Sequence, residues 1–196
     1  NIALVNELKF GLKKLNIDIW DVIKASSTKP FGFMPFYPGP GLGGHCIPID
    51  PIYFSWLSKK KGVNVKFIEL SSKINQIRTK WIIKKLKRIA KKISNPKILL
   101  LGLSYKKNIE DTRESASIKI LEDLLKQKYA IDYSDPFNQK IVLNYSKKRK
   151  ILFSKKFNKN IVKKYNLIII ATDHDKFDYS LLKSSNRTIV DLRGKF

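Results

Sequence analysis

The sequence predicts an α/β protein in which a helical first half precedes a second half built on a parallel sheet. Two observations carry this. Up to residue 94 the apolar residues recur at helical spacing, whereas after Asn95-Pro96 short unbroken apolar runs appear at 97–103, 166–172 and 188–192. Runs of that kind read as strands buried on both faces, and strands alternating with helices argue for a parallel layer. A third observation divides the helical half. Residues 26–50 form a long stretch dense in glycine and proline that neither helix nor strand can absorb.

In chain order, Leu4, Leu8, Leu12 and Leu15 follow at spacings of four, four and three and mark one face of a helix over residues 1–16. A short second helix covers Asp18–Ala25 and carries Trp20 and Ile23. After the long loop, Asp50-Pro51 suits an N-cap followed by proline at the first helical position, and Gly62 suits the C-terminal end of that third helix. Val65–Lys92 then reads as a long helix, with Phe67, Leu70, Ile74, Ile77, Trp81, Leu86 and Ile89 along it and no glycine or proline inside. In the second half, Lys97–Leu103 is the first strand, Ser115–Gln127 a helix and Ala130–Tyr133 a short strand. Asn166–Thr172 and Thr188–Leu192 are the further strands. The boundary gives two domains, 1–94 and 95–196.

At 196 residues, 43% hydrophobic and 11% aromatic, the chain can bury a core and is not disordered. No apolar run approaches the roughly twenty residues that span a bilayer. A single cysteine excludes an internal disulfide and fits a reducing, cytoplasmic setting. The chain opens at Asn1 within an amphipathic pattern, without an initiator methionine or a signal peptide, and is expected to be part of a longer protein. The net charge of +24 is spread over lysines in most elements. The one compact run, Lys147-Lys-Arg-Lys150, has no interleaved aromatics. Non-specific attraction to polyanions is expected, and no specific nucleic acid. A basic nucleic-acid- or polyanion-binding module without catalysis is the alternative class of function.

The chemistry concentrates in Phe36–Pro51, which holds four glycines, four prolines, the only cysteine and one of the two histidines. The glycines let another group approach the backbone closely and the prolines stiffen the loop around it. Gly43 and Gly44 leave Cys46 few side chains to pack among. A position just ahead of a helix N-terminus favours its thiolate. Cys46 therefore reads as a reactive thiol. In the second half, ligands of open α/β sheets bind beyond the carboxyl ends of the strands. Ser104–Ser115 lies there, with Lys106 and Arg113 suited to an anion and Tyr105 to stacking. The plainer reading of this segment is a solvated loop in which Asp111 or Thr112 caps the next helix. Ala171-Thr-Asp-His-Asp175 offers two carboxylates and a histidine without further ligands; a turn is expected there, and no metal. Gly39–Gly44 is not a dinucleotide fingerprint, since it follows no strand and is interrupted by Pro40.

Three segments, Pro38–Asp50, Lys29–Phe33 and Gly102–Ser115, resemble the UDP-glucose/GDP-mannose dehydrogenase superfamily. The Gly-Gly-His-Cys-Ile-Pro-Ile-Asp wording is most similar to its UDP-N-acetylglucosamine 6-dehydrogenases. The resemblance covers nearly the whole chain. It implies a helical central, dimerising domain followed by a Rossmann-like UDP-binding domain, and a homodimer formed through the central helices. It implies oxidation of the sugar C6 alcohol to a carboxylate with two NAD, Cys46 attacking the aldehyde intermediate and Asp50 assisting proton transfer and hydrolysis. Tyr37, Pro38, Gly39, Pro40, Gly41, Leu42 and Gly43 would wrap the sugar and pyrophosphate. Tyr105, Lys106 and Arg193 match further substrate contacts, and Arg113 a contact to NAD phosphates. The family's N-terminal NAD-binding domain, and the catalytic lysine and asparagine of its long central helix, would lie upstream of Asn1, so this chain alone is expected to be inactive; a dimer-forming remnant is a third reading. UDP-N-acetylglucosamine, UDP-glucose and UDP-N-acetylmannosamine all stay open as substrates.

Overall fold

A computed structural model describes residues 1–145 and 148–195. The basic run Lys147–Lys150 therefore begins outside the described residues. The first half is helical: α1 Ile2–Lys14, α2 Ile19–Ser26, α3 Asp50–Lys60 and α4 Lys66–Ala90. No regular element interrupts the stretch between α2 and α3, as its glycines and prolines predict.

Local chemistry fixes most boundaries. Asp18 is the N-cap of α2, its carboxylate accepting the Trp20 N–H at 2.9 Å. Gly62, with φ +81°, follows the C-cap Lys61 of α3. The start of α3 corrects one expectation. Ile49 occupies the N-cap and Asp50 lies inside the first turn without a capping hydrogen bond, because its carboxylate is engaged by His45.

The face of α1 that meets the protein also differs from expectation. Leu4, Leu8 and Leu15 are 55%, 43% and 68% exposed, and Ala3 and Asn6 are buried instead. A polar clasp sets this contact: the Asn6 Nδ2 donates to Asn75 Oδ1 of α4 at 2.9 Å. Edge-to-face packing of Phe10 on Trp81 at 4.9 Å reinforces it. Along α4 the buried positions are Asn75, Arg78, Ile82, Leu86 and Ala90, one side of the helix. Phe67, Leu70 and Ile77 stay exposed.

The second half is a four-stranded parallel sheet in the order β2-β1-β5-β6, from β1 Lys97–Leu101, β2 Ala130–Ser134, β5 Leu167–Ile170 and β6 Thr188–Asp191. Alternate residues of the central strands enter two separate cores. Ile98, Leu100 and Ile169 face α4 and α5 (Ala116–Lys126), whereas Leu99, Leu101, Ile168 and Ile170 face Val162 of α6 (Lys159–Val162) and Leu182 of α7 (Ser180–Lys183). Burial on both faces is why these strands read as unbroken apolar runs. Ser115, rather than Asp111 or Thr112, caps α5: its Oγ accepts the Ser117 N–H and donates to the Leu103 carbonyl at 2.6 Å.

An antiparallel hairpin, β3 Lys140–Tyr145 with β4 Lys148–Phe153, lies outside the elements expected from sequence. Only Leu143 of β3 is buried, while Val142, Ile151 and Phe153 are exposed, so no clean alternation of apolar and polar residues announces it.

Strand order reverses between β1 and β5, and the segments leaving their carboxyl ends meet there. Gly102 adopts φ +82°, and a Cβ on it would lie 2.4 Å from the Thr172 carbonyl oxygen. Glycine alone lets the two strand exits approach this closely.

Candidate active site

The cysteine loop is held from beneath by polar side chains of the helical half. The Gly39 N–H donates to Asn6 Oδ1 at 3.0 Å, Arg78 Nε donates to the Gly39 carbonyl at 3.1 Å, and Thr79 Oγ1 donates to the Pro40 carbonyl at 2.9 Å. Pro38, Gly39 and Pro40 are buried by these contacts. Arg78 is 2% exposed and lies over the Phe10 and Trp81 rings at 5.0 and 5.3 Å; burial lowers its pKa to about 10. Two inflexible prolines, clamped through their neighbours' backbone groups, make a rigid platform.

From above, the loop is pressed by the second half. A Cβ on Gly43 would lie 2.2 Å from the Tyr105 Cβ, and one on Gly44 would lie 3.0 Å from the Tyr105 ring. A Cβ on Gly41 would meet Thr79 Oγ1 at 2.5 Å and the Ala116 Cβ at 2.9 Å, and one on Gly39 would meet Arg193 Nη1 at 3.1 Å. The Gly44 N–H donates to the Arg113 carbonyl at 2.8 Å. The room that the glycines provide is thus taken by the protein's own Tyr105, Thr79, Ala116 and Arg193.

Cys46 emerges from this platform, exposed and unbonded. Gly44, at φ +82°, redirects the chain just before it, and the Ile49 N–H bonds the His45 carbonyl at 2.9 Å to close a turn leading into α3. Across that turn His45 Nδ1 sits 2.9 Å from Asp50 Oδ1, with both side chains about half exposed. His45 has no role in the reading from sequence. Only its spacing to Asp50, on either side of the single cysteine, could have pointed to the pair.

Of the residues expected from the second half, Tyr105, Arg113 and Arg193 meet the same loop. Tyr105 lies on Gly43 and Gly44, and its N–H donates to the Asp111 carbonyl. Arg113 pairs with Asp111, its Nε at 3.0 Å from both carboxylate oxygens and its Nη2 at 2.6 Å from Oδ2. Those bonds raise the Arg113 pKa and lower that of Asp111; the negative forms of Tyr105 and Cys46 add smaller contributions on Arg113. Arg193 Nε bonds Asp173 Oδ1 at 2.9 Å beside Gly39. Tyr37 stacks on Trp20 at 6.0 Å, and Lys106 is exposed. A cleft of about 740 Å³ opens alongside, walled by Phe36, Leu42, Ile47, Pro48, Thr79 and Glu114 among others.

The acidic segment after β5 disperses. Asp173 turns to Arg193, and Asp175 to Asn108 and Lys107. His174 is fully buried with Nε2 3.1 Å from Asp135 Oδ2. These three side chains point to different partners, which is not how metal ligands converge. Nor do the described residues form a cradle for NAD: the glycines of 39–44 are filled by side chains and follow a helix and loop, not a strand.

The chain is similar to known proteins over nearly its whole length. The model of the UDP-glucose/GDP-mannose dehydrogenase family, central domain, matches residues 1–77, and that of the same family's UDP binding domain matches residues 99–196. A UDP-N-acetyl-D-mannosamine dehydrogenase of Methanococcus vannielii is 32% identical over 207 residues, which is 99% of this chain and 44% of that protein. An NDP-N-acetyl-D-galactosaminuronic acid dehydrogenase of Ralstonia solanacearum is 26% identical, with 99% of this chain and 44% of that protein covered. Among solved structures, the UDP-D-ManNAc dehydrogenase from Pyrococcus horikoshii superposes with a TM-score of 0.76 at 26% identity, covering 98% of this chain and 44% of the other. This chain thus spans 44% of the length of these relatives.

Proposed function

The chain belongs to the UDP-glucose/GDP-mannose dehydrogenase family, and we propose that it supplies the thiol and the UDP-binding half of a nucleotide-sugar 6-dehydrogenase. The reaction oxidises the C6 alcohol of a UDP-N-acetylhexosamine to the uronic acid. The wording of the cysteine motif favours UDP-N-acetylglucosamine and the names of the relatives favour UDP-N-acetylmannosamine, with UDP-glucose also to be tried. NAD is the hydride acceptor that the family resemblance implies.

One observation carries the proposal. The Cys46 loop is bolted to the carboxyl end of the sheet through the Gly44–Arg113 bond and the Tyr105–glycine packing. A nucleotide seated at the strand-order reversal would therefore present its sugar to the thiol. Tyr105 and Lys106 line that approach and Arg193 borders it at Gly39. The part of Cys46 is to add to the C6 aldehyde. An aldehyde is a poor hydride donor, whereas the sulfur adduct has a tetrahedral carbon that is a good one. Cys46 then holds the carbon as a thioester until water displaces it, with Asp50 serving the proton transfers. The exposed apolar residues of α1 and α4, Leu4, Leu8, Phe67 and Leu70, support pairing of two copies through the helical half.

Thiol labelling of Cys46 with and without nucleotide tests the reading. Slower labelling in UDP-N-acetylglucosamine or UDP-N-acetylmannosamine than in UDP is the expected result. Labelling indifferent to every UDP-sugar, with salt-sensitive protection by single-stranded DNA, would replace it by a polyanion-binding module. Turnover of UDP-sugar and NAD by this chain alone would overturn its expected inactivity in isolation.

A further inference from the structure

We propose that the proton acceptor for hydrolysis of the Cys46 thioester is His45, with Asp50 acting as the carboxylate that orients it. The inference rests on the thioester chemistry proposed above and reassigns one role within it. Asp50 is the obvious base by family resemblance, but its Oδ1 already lies 2.9 Å from His45 Nδ1. A carboxylate can only accept, so in the neutral imidazole Nδ1 carries the hydrogen and Nε2 carries the lone pair. Among the described residues nothing hydrogen-bonds Nε2. An imidazole is also the stronger base, by about two pK units relative to a carboxylate in model compounds. The turn closed by the Ile49–His45 backbone bond keeps His45, Cys46 and Asp50 together at the head of α3, and both members of the pair are open to water.

The step balances without further reagents. Nε2 takes a proton from water as its oxygen adds to the thioester carbonyl, and Asp50 steadies the resulting imidazolium. The C–S bond then breaks. The departing Cys46 sulfur recovers the proton from Nε2, and the free uronic acid ionises into solvent. Among the described residues, the charged or titratable groups that border the pair include Cys46 itself, and Arg113 and Tyr105 from the segment after β1, across Gly43 and Gly44.

The test needs neither UDP-sugar nor NAD. Cys46 of the full chain is acetylated with p-nitrophenyl acetate, and return of the free thiol is followed across pH by labelling and mass. Thiol return in wild type is expected to rise with pH in one step. His45→Gln should slow it about a hundredfold and remove the step, and Asp50→Asn should slow it less while leaving a step. Imidazole added to His45→Ala should restore part of the rate. An Asp50→Asn variant slower than His45→Gln, with the wild-type pH profile surviving in His45→Gln, would return the base to Asp50. A wild-type rate no faster than that of an S-acetyl cysteine peptide would abolish the proposal. Because the nucleotide is absent, failure here leaves the labelling test of the preceding subsection standing, and the converse also holds.

Discussion

The chain's two histidines each face an aspartate, and the two pairs could hardly be treated more differently. His174 is fully buried. Its Nδ1 accepts the Asn108 N–H at 2.9 Å, which fixes Nε2–H as the donor to Asp135 Oδ2 at 3.1 Å. Asp135 also accepts the N–H groups of Leu103, Phe137 and Asn138 at 2.7–2.9 Å. Every polar atom there is spent on joining three chain segments, those that follow β1, β2 and β5. Among the described residues His45 and Asp50 pair only with each other, and both are about half exposed. The same two side chains make a rivet in one place and leave a proton-accepting nitrogen open in the other. Satisfaction of the polar atoms, not residue type, separates scaffold from chemistry.

Removing the buried partner should have the largest effect. Asp135→Asn is expected to cost about 3–5 kcal/mol in urea unfolding, because it leaves buried donors facing a weaker acceptor. Equal stability of this variant and wild type would erase the contrast. Next in size is a pH effect. Burial raises the Asp135 pKa, but the bonds from His174, Leu103, Asn138 and Phe137 outweigh it and hold the value at about 2, below the 3.8 of an unstructured aspartate. A depressed folded value means the stabilisation is complete above pH 4 and is lost as pH falls through 4 towards 2. Acid titration of stability should show a loss of about 2 kcal/mol over that window, absent in Asp135→Asn. Gly43→Ala should cost about 1–3 kcal/mol, as its Cβ collides with Tyr105. The same substitution should free Cys46 labelling from nucleotide control. Smallest of all, His45→Gln should move the unfolding midpoint by no more than an equivalent of about 0.5 kcal/mol, since its site is exposed.

What could be read from sequence follows the range of the interactions. The strands 97–101 and 167–170 announced themselves because burial on both faces is written into consecutive residues. The glycine-proline loop was legible for the same reason. The covered face of α1 was not, because Asn6 and the leucines sit on different sides and only Asn75, far along the chain, decides between them. The hairpin of β3 and β4 was missed where lysines mask alternation. Asp50 could be read as a cap because nothing local reveals that His45 claims its carboxylate first. Glycines 41, 43 and 44 correctly signalled close approach, but sequence cannot say whether substrate or protein approaches. Here Tyr105, Thr79 and Ala116 do.

The platform under Cys46 also has a position in time. Gly39 is touched by Asn6, Arg78 and Arg193, contributions from the beginning, middle and far end of the chain. On a ribosome those pieces emerge in that order, and the last arrives only after the sheet's final strand. Contacts so distant along the chain close late and slowly. The thiol is therefore synthesised before the last of its supports, and an electrophile met by the nascent chain would find it before its loop is set.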